Sequence, residues 1–141
     1  MNGLRLEMVT TALKWERAFG NAPQITSTLS EFDAAMLMGC TTEQYSQAMQ
    51  GQTAVQKGYD FKHKGQRYQV KGNRPSGKPG SLVTWVPKAA NYEWDFLIWI
   101  LYNKNYEIQE AWIWDVMSYK NEFDSIKRLS PKHYQRGRRL A

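Results

Sequence analysis

The sequence predicts an α/β fold in which a mixed β-sheet made of two hairpins is flanked by α-helices. Apolar residues at helical spacing occupy the first third of the chain, an alternating strand pattern follows from Tyr59, and a nearly continuous apolar segment begins at Trp94. The chain has 141 residues, of which 42% are apolar and six are tryptophan. This composition is enough for one domain with a sizeable core, and it argues against general disorder.

The helical third is predicted to contain three helices. Apolar spacing over 4–19 predicts an N-terminal helix, an accessory arm that ends before a Gly-Asn-Ala-Pro segment. Two capping boxes, Thr28-x-x-Glu31 and Thr41-x-x-Gln44, predict that the next two helices begin near those threonines, the former there or two residues later. Each of these helices is predicted to end at the next glycine.

The remainder of the chain is predicted to form four strands and one helix. A Pro- and Gly-rich basic loop over 73–81 separates the two hairpins, and an amphipathic helix is predicted over 116–129. The segment from Trp94 is almost entirely apolar, which is typical of a strand buried on both faces. The strands are predicted at 59–62, 67–71, 94–102 and 106–114.

Positive charge is concentrated in two segments. The whole chain carries a formal charge of +6, which favours an anionic partner such as nucleic acid. The last basic run, from residue 127 onward, contains six cations and no acid, and it is either a solvated tail or a nucleic-acid contact. Between positions 57 and 78 seven cations face one acid, Asp60; they are Lys57, Lys62, Lys64, Arg67, Lys71, Arg74 and Lys78.

The first basic segment also contains a chemically coherent group of residues. Gln69 and Lys71 are two positions apart on one predicted strand, so their side chains project from the same face. Asp60, on the paired strand, can reach that face. Carboxylate and amide oxygens are suitable Mg²⁺ ligands, and an ammonium group stabilises charge on a phosphate, so these residues are candidates for metal-assisted phosphodiester hydrolysis.

At these positions the sequence resembles the PD-(D/E)xK nuclease superfamily, whose fold is restriction-endonuclease-like. Glu31 on a helix, Asp60 on a strand, and Gln69 and Lys71 on the next strand follow the superfamily's order. The resemblance covers about residues 28–115. It implies a Mg²⁺ site, with Mn²⁺ as a possible substitute, held by Asp60, the Gln69 carbonyl, the backbone oxygen of Val70 and Glu31. It further implies that water attacks the phosphorus in line while Lys71 stabilises the transition state.

Several positions in this group leave alternatives open. Tyr59 stands where the superfamily has its proline, and Gln69 replaces the more usual glutamate, which removes one negative charge. Glu31 is either a metal ligand or only part of its capping box, and Asp33 is a substitute ligand. Taken singly, Asp60 can instead bond the backbone at a strand end.

The resemblance and the charge together predict a metal-dependent endonuclease that hydrolyses DNA. Two alternatives are a catalytically inactive nucleic-acid-binding module of the same fold and a protein-interaction or regulatory domain. Exposed Trp85 is a candidate for base stacking. The predicted phosphate contacts are Arg67, Arg74, Lys78 and Lys88.

The expected organisation is a helical arm over 1–27, a nuclease core over 28–126 and a basic tail over 127–141. The sequence has no apolar run of eighteen residues and no secretory signal, and its single cysteine excludes an internal disulfide. These features favour a cytoplasmic protein without a membrane partner. A homodimer is an open expectation, because two-fold pairing is the simplest way for a small domain to cut both strands.

Overall fold

The computed structural model describes residues 3–52 and 58–141. Within these residues the chain forms five helices and five strands. Lys57, a member of the first basic segment, lies outside the described residues. The helices are α1 (Gly3–Phe19), α2 (Thr26–Leu37), α3 (Thr42–Gln50), α4 (Val116–Phe123) and α5 (Pro131–Tyr134). The strands are β1 (Phe61–His63), β2 (Gln66–Asn73), β3 (Phe96–Tyr102), β4 (Ile108–Asp115) and β5 (Arg138–Arg139).

The strands form an open mixed sheet in the order β1-β2-β3-β4-β5. The two predicted hairpins, β1–β2 and β3–β4, are antiparallel, and they join through a parallel pair in which Gln69 of β2 lies opposite Leu97 of β3. Strand β5, which was not predicted, pairs antiparallel with β4. The predicted α/β class and mixed sheet are therefore confirmed.

Strand β3 is central because both of its faces are buried. Ile98 and Ile100 belong to a core that includes residues of α1 and α2, whereas Leu97 and Trp99 belong to a second core with residues of α4 and α5. Side chains alternate between the two faces of a strand, so a strand between two helical layers requires apolar residues at consecutive positions. This explains the continuous apolar run from which the strand was predicted.

The starts of α2 and α3 differ in how they are capped. The Thr41 box is confirmed: Gln44 N–H donates to Thr41 Oγ1 at 3.0 Å, and Thr41 N–H donates to Gln44 Oε1 at 2.9 Å. The box predicted at Thr28 is wrong. Helix α2 begins at Thr26, and the residue before it, Ile25, provides no side-chain cap.

The C-terminal part departs further from the prediction. The helix predicted over 116–129 ends at Phe123, because the chain then turns and Leu129 forms a bridge with Val86. The basic residues from 127 onward continue into α5 and β5 on the sheet. No helix formed by the described residues is long and apolar enough to cross a membrane.

Candidate functional site

A cleft of about 620 Å³ lies where α2 crosses the β1–β2 hairpin. It is lined by all of the residues that were predicted to form the site, namely Glu31, Asp60, Gln69, Val70 and Lys71. Glu31 comes from α2, Asp60 immediately precedes β1, and the other three belong to β2. The fold therefore brings together three separate parts of the chain at one cleft.

Helix α2 reaches this position because β2 carries a glycine at the crossing point. A Cβ atom on Gly72 would lie 2.7 Å from Ser30 Cβ and 2.8 Å from Ser30 Oγ, which is closer than real Cβ atoms approach. The absence of a side chain at Gly72 thus allows close packing of the helix against the strand. Glu31 follows Ser30 in sequence, so the same contact brings Glu31 to the cleft.

Hydrogen bonds to the second strand and to Gln52 fix the position of Asp60. Its backbone N–H donates to Tyr68 O at 2.8 Å, and its Oδ2 atom accepts a hydrogen bond from Val70 N–H at 2.7 Å. Gln52 Nε2 donates to Asp60 O at 3.0 Å. The carboxylate does bond the backbone, as one sequence-based alternative predicted, and it also lines the cleft.

Glu31 and Asp60 form a pair of neighbouring carboxyl groups. Burial of Glu31, together with the charge of Asp60 and a hydrogen bond between the two side chains, raises the pKa of Glu31 to about 7. Burial and the same two acids raise the pKa of the Tyr45 hydroxyl to about 12. Two carboxylates that are both ionised in one partly buried place repel each other, so a bound cation would relieve the repulsion.

The donor atoms around the cleft fit a hard cation such as Mg²⁺. Two carboxylates and the Gln69 amide provide oxygen ligands, and the adjacent Val70 carbonyl provides another. Within residues 3–52 and 58–141, no group of three or more His, Cys, Asp and Glu side chains could hold a metal ion. Gln69 or Val70 would therefore have to complete the ligand set begun by Glu31 and Asp60.

We expect the raised pKa of Glu31 to make the stability of the metal-free protein fall as the pH rises. The folded state holds a proton on Glu31 up to about pH 7, whereas an ordinary glutamate releases it near pH 4.5. The contribution of Glu31 to stability is therefore present below pH 4.5 and is lost as the pH rises through 7. Unfolding by urea in EDTA should show that Glu31→Gln gains stability relative to wild type between pH 5 and pH 8. A constant difference over this range would contradict the assignment.

Asp33 lies two residues beyond Glu31 but serves a different purpose. It is 6% exposed, and its carboxylate accepts hydrogen bonds from Arg5 Nε at 2.7 Å and from the Tyr102 hydroxyl at 2.6 Å. These bonds connect α2 to α1 and to β3. As a substitute metal ligand, Asp33 is a wrong prediction, because its carboxylate is committed to this buried ion pair.

Arg74 was predicted to contact phosphate, and the structure places it in an ion pair at the edge of the cleft. Its guanidinium donates to Glu16 at 2.9 and 3.1 Å and to the Lys104 carbonyl, and it lies 4.3 Å from the centre of the Tyr106 ring. Only 7% of its side chain is exposed. Arg74 therefore fastens the basic loop to α1 and to the β3–β4 turn.

The other predicted phosphate contacts lie in three different settings. Arg67 pairs with Asp95 at 3.2 Å, and Lys88 Nζ donates to two backbone carbonyls at 2.9 Å. Lys78 lines a second groove, together with Arg17, which shares Arg74 and other wall residues with the cleft. Lys78 thus extends positive charge along a path that leads away from the carboxylates.

Two residues of this region were missed by the sequence analysis. Glu16 pairs with Arg74 across 58 positions, and Tyr106 lines the cleft beneath the same guanidinium. Neither contact has a local signal, because both depend on how α1 and the β3–β4 turn pack beside the basic loop. A lone glutamate on a helix surface is usually solvated.

Comparisons with known proteins add no name to this geometry. The sequence matches no model of a protein family. It also matches no curated protein.

Proposed function

We propose that the protein is a Mg²⁺-dependent endonuclease that hydrolyses DNA, with a restriction-endonuclease-like arrangement of its hairpins and helices. The observation that carries this proposal is that Glu31, Asp60, Gln69 and Lys71 line one cleft although they come from separate parts of the chain. The pair of acids provides negative charge for a cation, and the lysine beside them provides positive charge for a phosphate. This combination is what phosphodiester hydrolysis requires.

Each side chain in the cleft has a distinct part in the proposed reaction. Glu31, Asp60 and Gln69 would hold Mg²⁺ with the Val70 carbonyl; the ion supplies Lewis-acid stabilisation of phosphate charge and lowers the pKa of water. The Val70 N–H bond fixes the orientation of the Asp60 carboxylate. Lys71 donates hydrogen bonds to the phosphate oxygens, whose negative charge grows as the phosphorus is attacked. With its pKa near 7, Glu31 loses its proton at the pH at which a cation can compete for it.

The path of the DNA strand follows from the two connected depressions. The cleft and the groove beside it share Ala22, Arg74 and Ser76 in their walls, and the groove ends at Lys78 and Arg17. A strand whose phosphate lies at Lys71 can continue along this groove toward those cations. Phosphate contacts of this kind position a strand without reading its sequence, and they make binding sensitive to salt.

The proposal is tested by incubating the protein with circular, linear and branched DNA. We expect cleavage with Mg²⁺ or Mn²⁺, no cleavage in EDTA, and at least a 100-fold slower reaction for Asp60→Asn. Asp124→Asn is the matched control, because Asp124 is an exposed acid outside the cleft, and it should cut like wild type. A rate for Asp60→Asn that matches the control would refute the site.

A second candidate is a nucleic-acid-binding module that does not cut. The observation that favours it is Gln69, because an amide in place of a carboxylate leaves the site with less negative charge for the ion. Tight, salt-sensitive DNA binding without cleavage of any of these substrates would support this module. The absence of both binding and cleavage would favour a protein-interaction domain.

A further inference from the structure

Trp85 is a large aromatic side chain that the fold leaves open to solvent. It is 66% exposed, and its neighbour Leu82 is 82% exposed. By contrast, Trp94 and Trp99 are fully buried, which is the usual place for an indole ring in a core of this kind. Trp85 is therefore not needed for packing, and its position has to be explained in another way.

The backbone on both sides of Trp85 is held firmly. Val86 N–H donates to Leu129 O at 2.9 Å, and the Tyr134 hydroxyl donates to Pro87 O at 2.6 Å. The Lys88 ammonium is fixed by two carbonyls at the end of α4. An exposed ring on a fixed backbone loses little conformational freedom when a ligand stacks on it.

The surroundings of the ring are positively charged. The Arg128 guanidinium carbon lies 6.0 Å from the centre of the Trp85 ring, and Lys127 beside it is exposed. Both belong to the segment from 127 onward that contains no acid. An aromatic face flanked by cations complements a base attached to a phosphate, and this charge favours nucleic acid over a protein partner.

The ring is also close to the candidate site in the chain. Pro87, two residues beyond Trp85, lines the same cleft as Asp60 and Lys71. Two residues span at most about 7 Å of backbone, and duplex DNA rises about 3.4 Å per base step. The backbone at Trp85 is therefore within a few nucleotides of a phosphate bound in the cleft.

We infer that Trp85 is a stacking platform for an unpaired base, so that this protein acts on DNA with a single-stranded segment beside the bond that is cut. Paired bases already stack within the duplex, and a side chain cannot stack on them without unpairing them. The inference rests on the proposed function for its choice of DNA as the ligand. Arg128 supports the stacked nucleotide by contacting its phosphate or by lying against the ring.

The test is a binding measurement in EDTA, where no metal-dependent cleavage occurs. Fluorescence anisotropy of a labelled single-stranded oligonucleotide and of the matching blunt duplex gives the two affinities. We expect Trp85→Ala to weaken single-strand binding about 5- to 100-fold and duplex binding less than about 2-fold. Trp85→Phe keeps a ring and should retain most of the affinity. Arg128→Ala should weaken single-strand binding and lower the slope of affinity against salt by about one ion.

Trp15→Ala is the matched control, because Trp15 is 49% exposed on α1 and has no fixed cation over its ring among the described contacts. It should leave both affinities unchanged. Equal losses on the two DNAs, no loss for Trp85→Ala, or a change only in self-association would overturn the inference. Because the measurement needs no cleavage, Trp85-dependent binding by a protein that never cuts DNA would retain the stacking site and reject the nuclease.

Discussion

Lys71→Ala should reduce the rate of DNA cleavage by about 100- to 1,000-fold while leaving metal binding intact. Lys71 lines the cleft beside Asp60 and Gln69, and its ammonium is the group that would stabilise the charge that grows on the phosphate. Removing one donor aimed at a developing negative charge typically costs a factor of this size. The rate is measured under single-turnover conditions with Mg²⁺ and the best DNA substrate.

Two measurements separate this role from a general loss of positive charge. Lys62→Ala removes an exposed lysine from β1, the strand paired with β2, and should change the rate less than about 3-fold. The rise in melting temperature on adding Mg²⁺ should be the same for Lys71→Ala as for wild type, because Lys71 is not a metal ligand. A Lys71→Ala protein that cuts at the wild-type rate, or one that no longer responds to Mg²⁺, would contradict the assigned role.

Asp33→Ala should lower the free energy of unfolding by about 3–5 kcal/mol. Asp33 accepts two hydrogen bonds from Arg5 and one from Tyr102. Burial and the nearby carboxylate raise the pKa of Tyr102, so its hydroxyl keeps its proton and donates to Asp33. Without the carboxylate, the partly buried charge of Arg5 loses its main compensating partner, and the Tyr102 hydroxyl is left without its acceptor.

Equilibrium unfolding in urea at constant pH measures this effect. Glu7→Ala is the control, since Glu7 is an exposed acid on α1 and its removal should change stability by less than about 0.5 kcal/mol. A loss below about 1 kcal/mol for Asp33→Ala would show that the Arg5–Asp33–Tyr102 contacts do not hold α1 and α2 to the sheet.

Local patterns predicted most of the fold. The alternating residues of β2, the apolar run of β3 and the reciprocal Thr41–Gln44 bonds each depend on neighbours in the sequence, and each was confirmed. The start of α2 was misplaced because the helix has no side-chain cap to mark it. The end of α4 was misplaced because Leu129 is held by Val86, a contact that no periodicity reveals.

The candidate site was predictable in composition but not in its supporting contacts. Asp60, Gln69 and Lys71 lie on one hairpin, so strand geometry alone brings them close. That Glu31 reaches the same cleft depends on the packing of α2, and the ion pair of Arg74 with Glu16 depends on the position of α1. Contacts between distant segments are determined by the whole tertiary fold. The functional roles of all these residues remain predictions for the experiments above.

The close approach of Ser30 and Gly72 has a consequence for how this sequence can vary. Because a single added carbon at position 72 would collide with Ser30, the two positions cannot both enlarge, and each limits what the other accepts. Substitution at either should therefore be tolerated only with a compensating change at the other. In divergent homologues, a glycine at the end of the second strand and a small residue just before the helix acid would mark shared ancestry even where Gln69 has become glutamate.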